Sequence, residues 1–483
     1  MIKKLGEPHI DRNDPWADDV LDRKTFGQTL ISMIESVTQP FVISVKGNWG
    51  SGKSVFLRRL KEDLEGSKRI PVVHVDAWKS DHYEDPIYAL ISAVEARLKD
   101  HRDTKATSQS KVKEISESLF GTAAKVVAPL VKIAGASADL VTGGAISTLA
   151  SGVGDLGEAL LKANREKVDA QSQFLQSLKD ARDELLGRTD DETPRPIGEK
   201  KIVIVIDELD RCRPDYAIKL LERIKHFFEI QGVVFVIAVD GKNLHHAVNS
   251  LYGQAIESEV YLRKFFDIEM YLPKPSTTGF NTQLRSSFGV FEDTEYSGAN
   301  WNQLKRNIFS SQLEHSPSRK LAMIEASAYF EVFAEAYGLQ LRDQAQAFAR
   351  LNACVLALGQ DRYFLPYATS FVVCLRYFSH DLYEGWRINS VIPGFSGSTP
   401  LIDVLRPIEA VHKVVSKAIG VYLSACNASS GDQIAAHWNN SSNTEATTIA
   451  LGRVPSELNH TMRVLKASYR GVFAIAEMLE KKA

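Results

Sequence analysis

The chain has 483 residues, more than one hydrophobic core ordinarily serves, so two or three structural units are expected. With 44% hydrophobic and 24% charged residues, its composition is that of a globular chain and excludes wholesale disorder. The 58 Lys+Arg against 60 Asp+Glu leave a formal charge of −2, so bulk attraction to nucleic acid or anionic lipid is not implied.

The N-terminal MIKKLGEPHIDRNDPW carries basic residues but no apolar stretch behind them, so no secretory signal is expected. Cys212, Cys354, Cys374 and Cys426 are far apart and form neither CxxC pairs nor a disulfide framework. A reducing compartment, the cytoplasm, is the expectation. The run FVISVK at 41–46 predicts a strand that enters a glycine-rich segment, GNWGSGKS, at 47–54. Beyond it Phe56, Leu57, Leu60 and Leu64 recur at helical spacing among charged residues, so the segment opens an amphipathic helix. A second strand is expected at 71–76 (PVVHVD) and a helix at 86–98.

The alternation then breaks. Residues 101–117 are polar and charged, and 120–156 are rich in Ala, Gly and Val. The longest uncharged run there, 140–154, has 15 residues, short of the about 20 that a membrane-spanning helix needs. A helical insertion is therefore favoured over a span, with peripheral membrane contact through 120–156 as the minority reading. A charged helical pattern follows at 158–186, and 187–200 reads as an exposed linker.

KIVIVI at 201–206 is the strongest strand signal, apolar on both faces as in the centre of a parallel sheet. Pro214-Asp215 opens a helix with Ala217, Leu220, Leu221, Ile224, Phe227 and Phe228 on one face, and a strand follows at 233–240. After residue 275 the pattern is helical, at 320–337, 342–358, 366–378, around 404–426 and at 456–481, with a polar loop at 427–447. The expected fold class is α/β: a parallel sheet flanked by helices, a helical insertion between the glycine-rich segment and the strand at 201–206, and an all-helical C-terminal region. The expected divisions are 1–100 and 201–275 for the two parts of the core, 101–200 for insertion and linker, and 276–483 for the helical region.

GNWGSGKS matches G-x-x-x-x-G-K-[ST] between a predicted strand and a predicted helix, the setting in which backbone N–H groups converge on phosphate. The candidate nucleotide-binding set is Gly47, Asn48, Trp49, Gly50, Ser51, Gly52, Lys53, Ser54 and Val55. Lys53 would neutralise charge on the β- and γ-phosphates, and the Ser54 hydroxyl would ligate Mg²⁺. In IVIVIDELD at 202–210, Asp207 ends the central strand and would hold the metal, and Glu208 would orient or deprotonate the attacking water. That second acid favours hydrolysis over passive binding. Arg211 could meet the γ-phosphate of a neighbouring subunit or pair with a local acid. His74, Asp76 and His82 lack a further ligand pair and read as a core histidine beside a phosphate-site aspartate.

Several segments together resemble the KAP family of P-loop NTPases, relatives of the STAND and AAA+ groups. Val75-Asp76-Ala77-Trp78 is similar to its F-N-A-W signature, with Asp76 in place of Asn and Val75 in place of Phe. Asp207-Glu208-Leu209-Asp210-Arg211-Cys212 with Pro214 is close to D-[DE]-L-D-R-C-x-P. Ala238-Val239-Asp240 with Leu244 and Tyr261-Leu262-Arg263-Lys264-Phe265 resemble two further signatures, the latter with Arg263 where Glu is common. Gly338-Leu339-Gln340-Leu341-Arg342-Asp343 resembles the opening of a lid helix, which implies Arg342 as a sensor arginine over the γ-phosphate; a surface salt bridge is the other reading. The segment 18–24 resembles the stretch before the P-loop, where Leu21 and Arg23 would border the base. The resemblance implies ATP rather than GTP, tolerance of insertions between the motifs, and by analogy a role in phage defence. Two functional classes follow. One is an ATPase that drives closure of the helical region; the other is a slow or non-hydrolysing switch that orders a homo-oligomer or recruits an effector protein. No direct nucleic-acid partner is implied.

Overall fold

The structure, a computed structural model, describes residues 6, 8–104, 109–127, 149–187, 201–227, 230–292, 294, 296, 300–310, 319–358, 365–389 and 399–427. Two compact units emerge: residues 9–18 with 23–273, and residues 1–8 and 19–22 with 274–483.

The first unit is built on five parallel strands, β1 Phe41–Lys46, β2 Val72–Asp76, β3 Ile202–Asp207, β4 Val233–Val239 and β5 Ile268–Tyr271, in the order β2-β3-β4-β1-β5. Every residue of β3 and β4 is buried, which is why both read as unbroken apolar runs. Successive side chains point to opposite faces. Val203 and Val205 therefore join Val234, Val236, Ile43 and Val45 on one face, whereas Ile202, Ile204 and Ile206 join Phe235 and Ile237 on the other.

The first face is covered by α1 (Lys24–Ser36) and α2 (Lys53–Gly66), through Leu30, Ile34, Phe56, Leu57, Leu60 and Leu64. Trp16 seals this layer: its indole donates to Asp63 Oδ2 at 2.7 Å and packs over Gly27, where a Cβ would come within 2.5 Å of the ring. The opposite face carries α3 (Ile87–Thr104), α6 (Pro214–Phe227), α7 (Gly241–Tyr252) and the short α8 (Ser258–Leu262). Onto α3 pack α4 (Gln109–Val127) and α5 (Leu149–Leu185), the helices of the insertion, which meet each other through Leu119, Ala123, Phe174 and Leu178 and through a Ser118–Ser177 hydroxyl contact of 2.6 Å. Most of the segment 120–156 lies outside the described residues. Among those described, no helix is long and apolar enough to cross a membrane.

The second unit is helical: α9 Thr277–Ser287, α10 Trp301–Phe309, α11 Arg319–Ala336, α12 Leu341–Leu358, α13 Pro366–Phe378, α14 His380–Asn389, α15 Thr399–Val411 and α16 Lys413–Asn427. Buried from Leu321 to Ala334, α11 is its hub. Within it Glu331 is buried and accepts from Arg285 at 2.8 Å, Lys305 at 2.6 Å, the Trp301 indole at 2.8 Å and Thr278 at 3.2 Å. The helical pattern around 404–426 is two helices rather than one, and the segment 456–481 lies outside the described residues.

Candidate functional site

Parallel pairing aligns the C-terminal ends of the strands along one edge: Lys46 is level with Val239, and Asp76 with Asp207. Ligands of open α/β sheets bind outside that edge, and the loops that leave it are the glycine-rich segment after β1 and the acidic turn after β3. Between them stands β4, which ends at Val239 and is followed by Asp240.

The glycine-rich segment continues the sheet for one bond, Gly47 N–H donating to Val239 O at 3.1 Å, and then turns. Gly50 and Gly52 have φ of 79° and 87°, which L side chains rarely adopt. At Gly47 a Cβ would lie 2.8 Å from Ser51 Oγ. Its carbonyls face protein cations. Gly47 O and Asn48 O accept from Lys53 Nζ at 2.8 and 3.3 Å, and Ser51 O and Gly52 O accept from Arg23 at 2.7 and 3.4 Å. Because a trans peptide points its N–H opposite its C=O, inward carbonyls turn the N–H groups of Asn48, Gly52 and Lys53 the other way. α2 starts at Lys53 with no side-chain cap, so its first amides remain available to an anion.

Arg23 is buried and also donates to Pro273 O at 3.3 Å. It braces the loop from the protein side. Leu21 packs against the core of the helical unit. Asp240 ties the loop to β4, its Oδ2 accepting from Trp49 N–H at 2.7 Å while Oδ1 caps α7 through Lys242 N–H at 3.0 Å.

The acidic turn meets the loop at two points. Ser54 Oγ donates to Glu208 Oε1 at 3.2 Å, and Lys53 Nζ lies 3.5 Å from Asp210 Oδ2. Asp207 is buried and its Oδ1 accepts from the Glu208 N–H at 2.8 Å. Glu208 has φ of 61°, the left-handed conformation that opens the 3₁₀ turn Leu209–Arg211. Burial, then the Asp207 charge, raises the Glu208 carboxyl above its ordinary range, against the opposing influence of Arg211. Arg211 pairs with Glu208, the local acid of the two readings open from sequence, and lies over the rings of Trp49 and Trp78.

Val55 is half-buried in the first turn of α2. Asp76 is engaged by Lys79, through its N–H at 3.0 Å and its ammonium at 2.8 Å; burial opposes ionisation of the carboxyl, but these contacts hold it below its ordinary range. Burial lowers the His74 imidazole. Arg263 makes an exposed i,i+4 pair with Glu259 at 2.9 Å, a contact of small energetic weight. Arg342 belongs to the helical unit, where it is exposed on the second residue of α12 beside Asp343.

The oxygens of Ser54 and Asp207 are hard donors suited to Mg²⁺, which typically takes one or two protein oxygens and completes its shell with phosphate and water. Among the described residues no group of three His, Cys, Asp or Glu side chains forms a metal cage. Two oxygen donors fit an ion that brings the rest of its shell with it.

Sequence reasoning missed the hold of Asp240 on Trp49 N–H, the Lys53–Asp210 pair and the placing of Arg211 over two indoles. The tryptophans in GNWG and DAW were the available signal, since a tryptophan at a loop tip has no core to fill.

No curated protein matches the chain. Among solved structures, the chain is similar to the Aeropyrum pernix ORC2 protein in ADPNP-ADP complexes, at 11% identity over 98% of this chain and 89% of that one, with a TM-score of 0.31, too low to carry an argument. The model of the KAP family P-loop domain matches residues 23–321, more than half of the chain and the whole of the site just described. The chain belongs to the KAP family of P-loop NTPases.

Proposed function

We propose that the protein binds ATP with Mg²⁺ in the loop 47–54 and hydrolyses it, using the nucleotide state to drive conformational change or assembly. The observation that carries this reading is the contact of Ser54 with Glu208: the hydroxyl that would ligate the metal and the carboxylate that would activate water meet across the sheet edge. Binding rests on the outward amides of the loop and of the α2 N-terminus, with Lys53 moving from Gly47 O and Asp210 to the β- and γ-phosphates. The ion, when bound, would neutralise charge spread over those phosphates. Ser54 and Asp207 would hold it, Asp207 through water. Glu208 would take the proton of the attacking water as its oxygen bonds to the γ-phosphorus and the diphosphate leaves with the bridging electron pair. A raised carboxyl pKa suits a base working near neutrality.

A slower, switch-like reading has an observation of its own. Glu208 Oε1 and the Lys53 ammonium are already engaged within the protein, so turnover must first break these contacts. In that case the nucleotide orders a homo-oligomer or an effector complex and hydrolysis is a timer. Arg342 as a sensor arginine and a role in antiviral defence rest on family resemblance alone, as does ATP over GTP.

Phosphate release from wild type, Lys53→Ala and Glu208→Gln is the test. Expected is loss of nucleotide binding in Lys53→Ala, and in Glu208→Gln retained binding with release lower by about 10²–10⁴-fold. Equal release from wild type and Glu208→Gln would sink the hydrolytic reading. Size-exclusion chromatography with and without ATP addresses assembly; an unchanged monomer counts against the switch.

A further inference from the structure

Arg211 joins three segments that are distant in sequence. Its guanidinium lies 5.8 Å from the ring centre of Trp49 on the P-loop and 5.3 Å from that of Trp78 beyond β2, and it is ion-paired with Glu208 Oε2. Both indoles are half exposed, at 54% and 53%. Leaving two indoles in water forgoes hydrophobic stabilisation, and the cation over both rings partly offsets it. The planar guanidinium suits this place, because it can face a ring and still present N–H groups edge-on to a carboxylate.

The two oxygens of Glu208 are held differently. Oε1 accepts from Ser54, whose hydroxyl is the oxygen that the P-loop would contribute to a metal–nucleotide. Oε2 is paired with Arg211, whose guanidinium lies over two rings. Loading of the site would compete for Ser54 and so for its bond to Oε1, whereas the pair on Oε2 does not involve Ser54.

We propose that Arg211 is a positioning residue: fixed between Trp49 and Trp78, it keeps Glu208 by Oε2 while Oε1, released by Ser54, receives the proton of the attacking water. This rests on the hydrolytic reading above. The proton passes from water to Oε1, the water oxygen bonds to the γ-phosphorus, and the bond to the bridging oxygen breaks with its electron pair leaving on the diphosphate. Arg211 keeps its charge and changes no bond.

The experiment measures phosphate release and ATP affinity for wild type, Glu208→Gln, Arg211→Ala, Arg211→Lys, Trp78→Ala, Trp78→Phe and the double variant Glu208→Gln/Arg211→Ala. Arg211→Ala is expected to lower kcat by about 10²-fold, the scale of a misplaced catalytic group, with Kd for ATP unchanged. Arg211→Lys recovers part of the loss, since a point charge pairs with Glu208 but cannot stack on both rings. Trp78→Ala lowers kcat and Trp78→Phe restores it. The double variant is no slower than Glu208→Gln, as two residues acting through one contact are not additive.

A readout independent of turnover comes from the nucleotide-free protein: the emission of Trp78, taken as wild type minus Trp78→Phe, shifts when Arg211→Ala removes the cation. Additive losses, a weakened Kd in Arg211→Ala, or unchanged Trp78 emission each overturn the proposal. So does recovery of release on mixing Arg211→Ala with Glu208→Gln, which would instead place Arg211 at a neighbouring subunit's site. Release that survives Glu208→Gln overturns the hydrolytic reading and this proposal with it. Release that needs Glu208 and is indifferent to Arg211 overturns this proposal alone.

Discussion

The carbonyls of a phosphate-binding loop matter as much as its amides, because the direction of one fixes the direction of the other. Arg23 is the residue that secures them here, taking Ser51 O at 2.7 Å and Gly52 O at 3.4 Å from a fully buried position on the first residue before α1. Its removal leaves those carbonyls without the cation that turns them inward. Arg23→Ala is expected to weaken ATP binding by about 10-fold or more, since a hydrogen bond to a charged group contributes about 1.5–3 kcal/mol. Arg23→Lys should rescue little, because one ammonium cannot span Ser51 O, Gly52 O and Pro273 O as a guanidinium does. Isothermal titration with ATP checks both; an Arg23→Ala protein that binds as wild type would show that the loop holds its shape without the brace. Asp240 acts on the same loop from the β4 side, and its carboxylate serves the loop and the α7 cap at once.

At the scale of elements, the segment between β2 and α3 is fixed by a cluster of charges on α6. Asp85 is buried, caps α3 through Ile87 N–H at 3.0 Å, and is paired with Arg223 and with Lys219 at 3.2 Å. Just before α6, Arg213 donates to Asp81 Oδ1 at 3.1 Å and to its carbonyl at 2.8 Å. Burial opposes ionisation of Asp85, but Arg223, the Ile87 N–H and Lys219 outweigh it and hold the carboxyl below its ordinary range. A carboxyl depressed in the folded state stabilises it above the unfolded pKa, about 3.9, and that stabilisation is lost as pH falls through the folded value. Asp85→Asn is therefore expected to be destabilised near neutrality by about 1.5–3 kcal/mol, the scale of hydrogen bonds to a charged group, since Arg223 and Lys219 keep part of their surface in water. The gap to wild type should close as pH drops below about 4. Denaturant midpoints across that range decide it; a gap independent of pH would mean that the Asp85 charge is not what stabilises the fold.

Which elements could be read from sequence follows from the same physics. β3 and β4 announce themselves because both faces are covered, whereas β5 is four residues at an edge with Glu269 and Tyr271 turned outward, too short and too mixed to stand out. α1 does not stand out in the sequence because its buried face is only Gly27, Leu30, Ile31 and Ile34. The phosphate loop was legible because its function needs contiguous residues. The Arg211 stack was not, since Trp49, Trp78 and Arg211 become neighbours only through a strand order that places β2 beside β3 and β1 on the far side of β4.

The molecule as a whole has separate cores: the sheet unit buries its helices on two faces, and the helical unit packs around α11. The helical core contains one charge cluster of high consequence. Glu331 is satisfied by Arg285, Lys305, Trp301 and Thr278, and the Arg285 guanidinium lies 3.9 Å from the Trp301 ring centre. Burial opposes its ionisation, yet these partners hold the carboxyl below its ordinary range, so the cluster is ionic at neutral pH. Glu331→Ala leaves Arg285 buried with its counter-charge gone, at a cost of about 3–5 kcal/mol. ATP, bound by the other unit, would stabilise that unit by about 2.7 kcal/mol at one hundred times Kd. Scanning calorimetry is expected to give two transitions, one raised by ATP and one lowered by Glu331→Ala. A single transition moved by both would show that the two cores unfold together, and that the nucleotide state reaches the helical unit through stability itself.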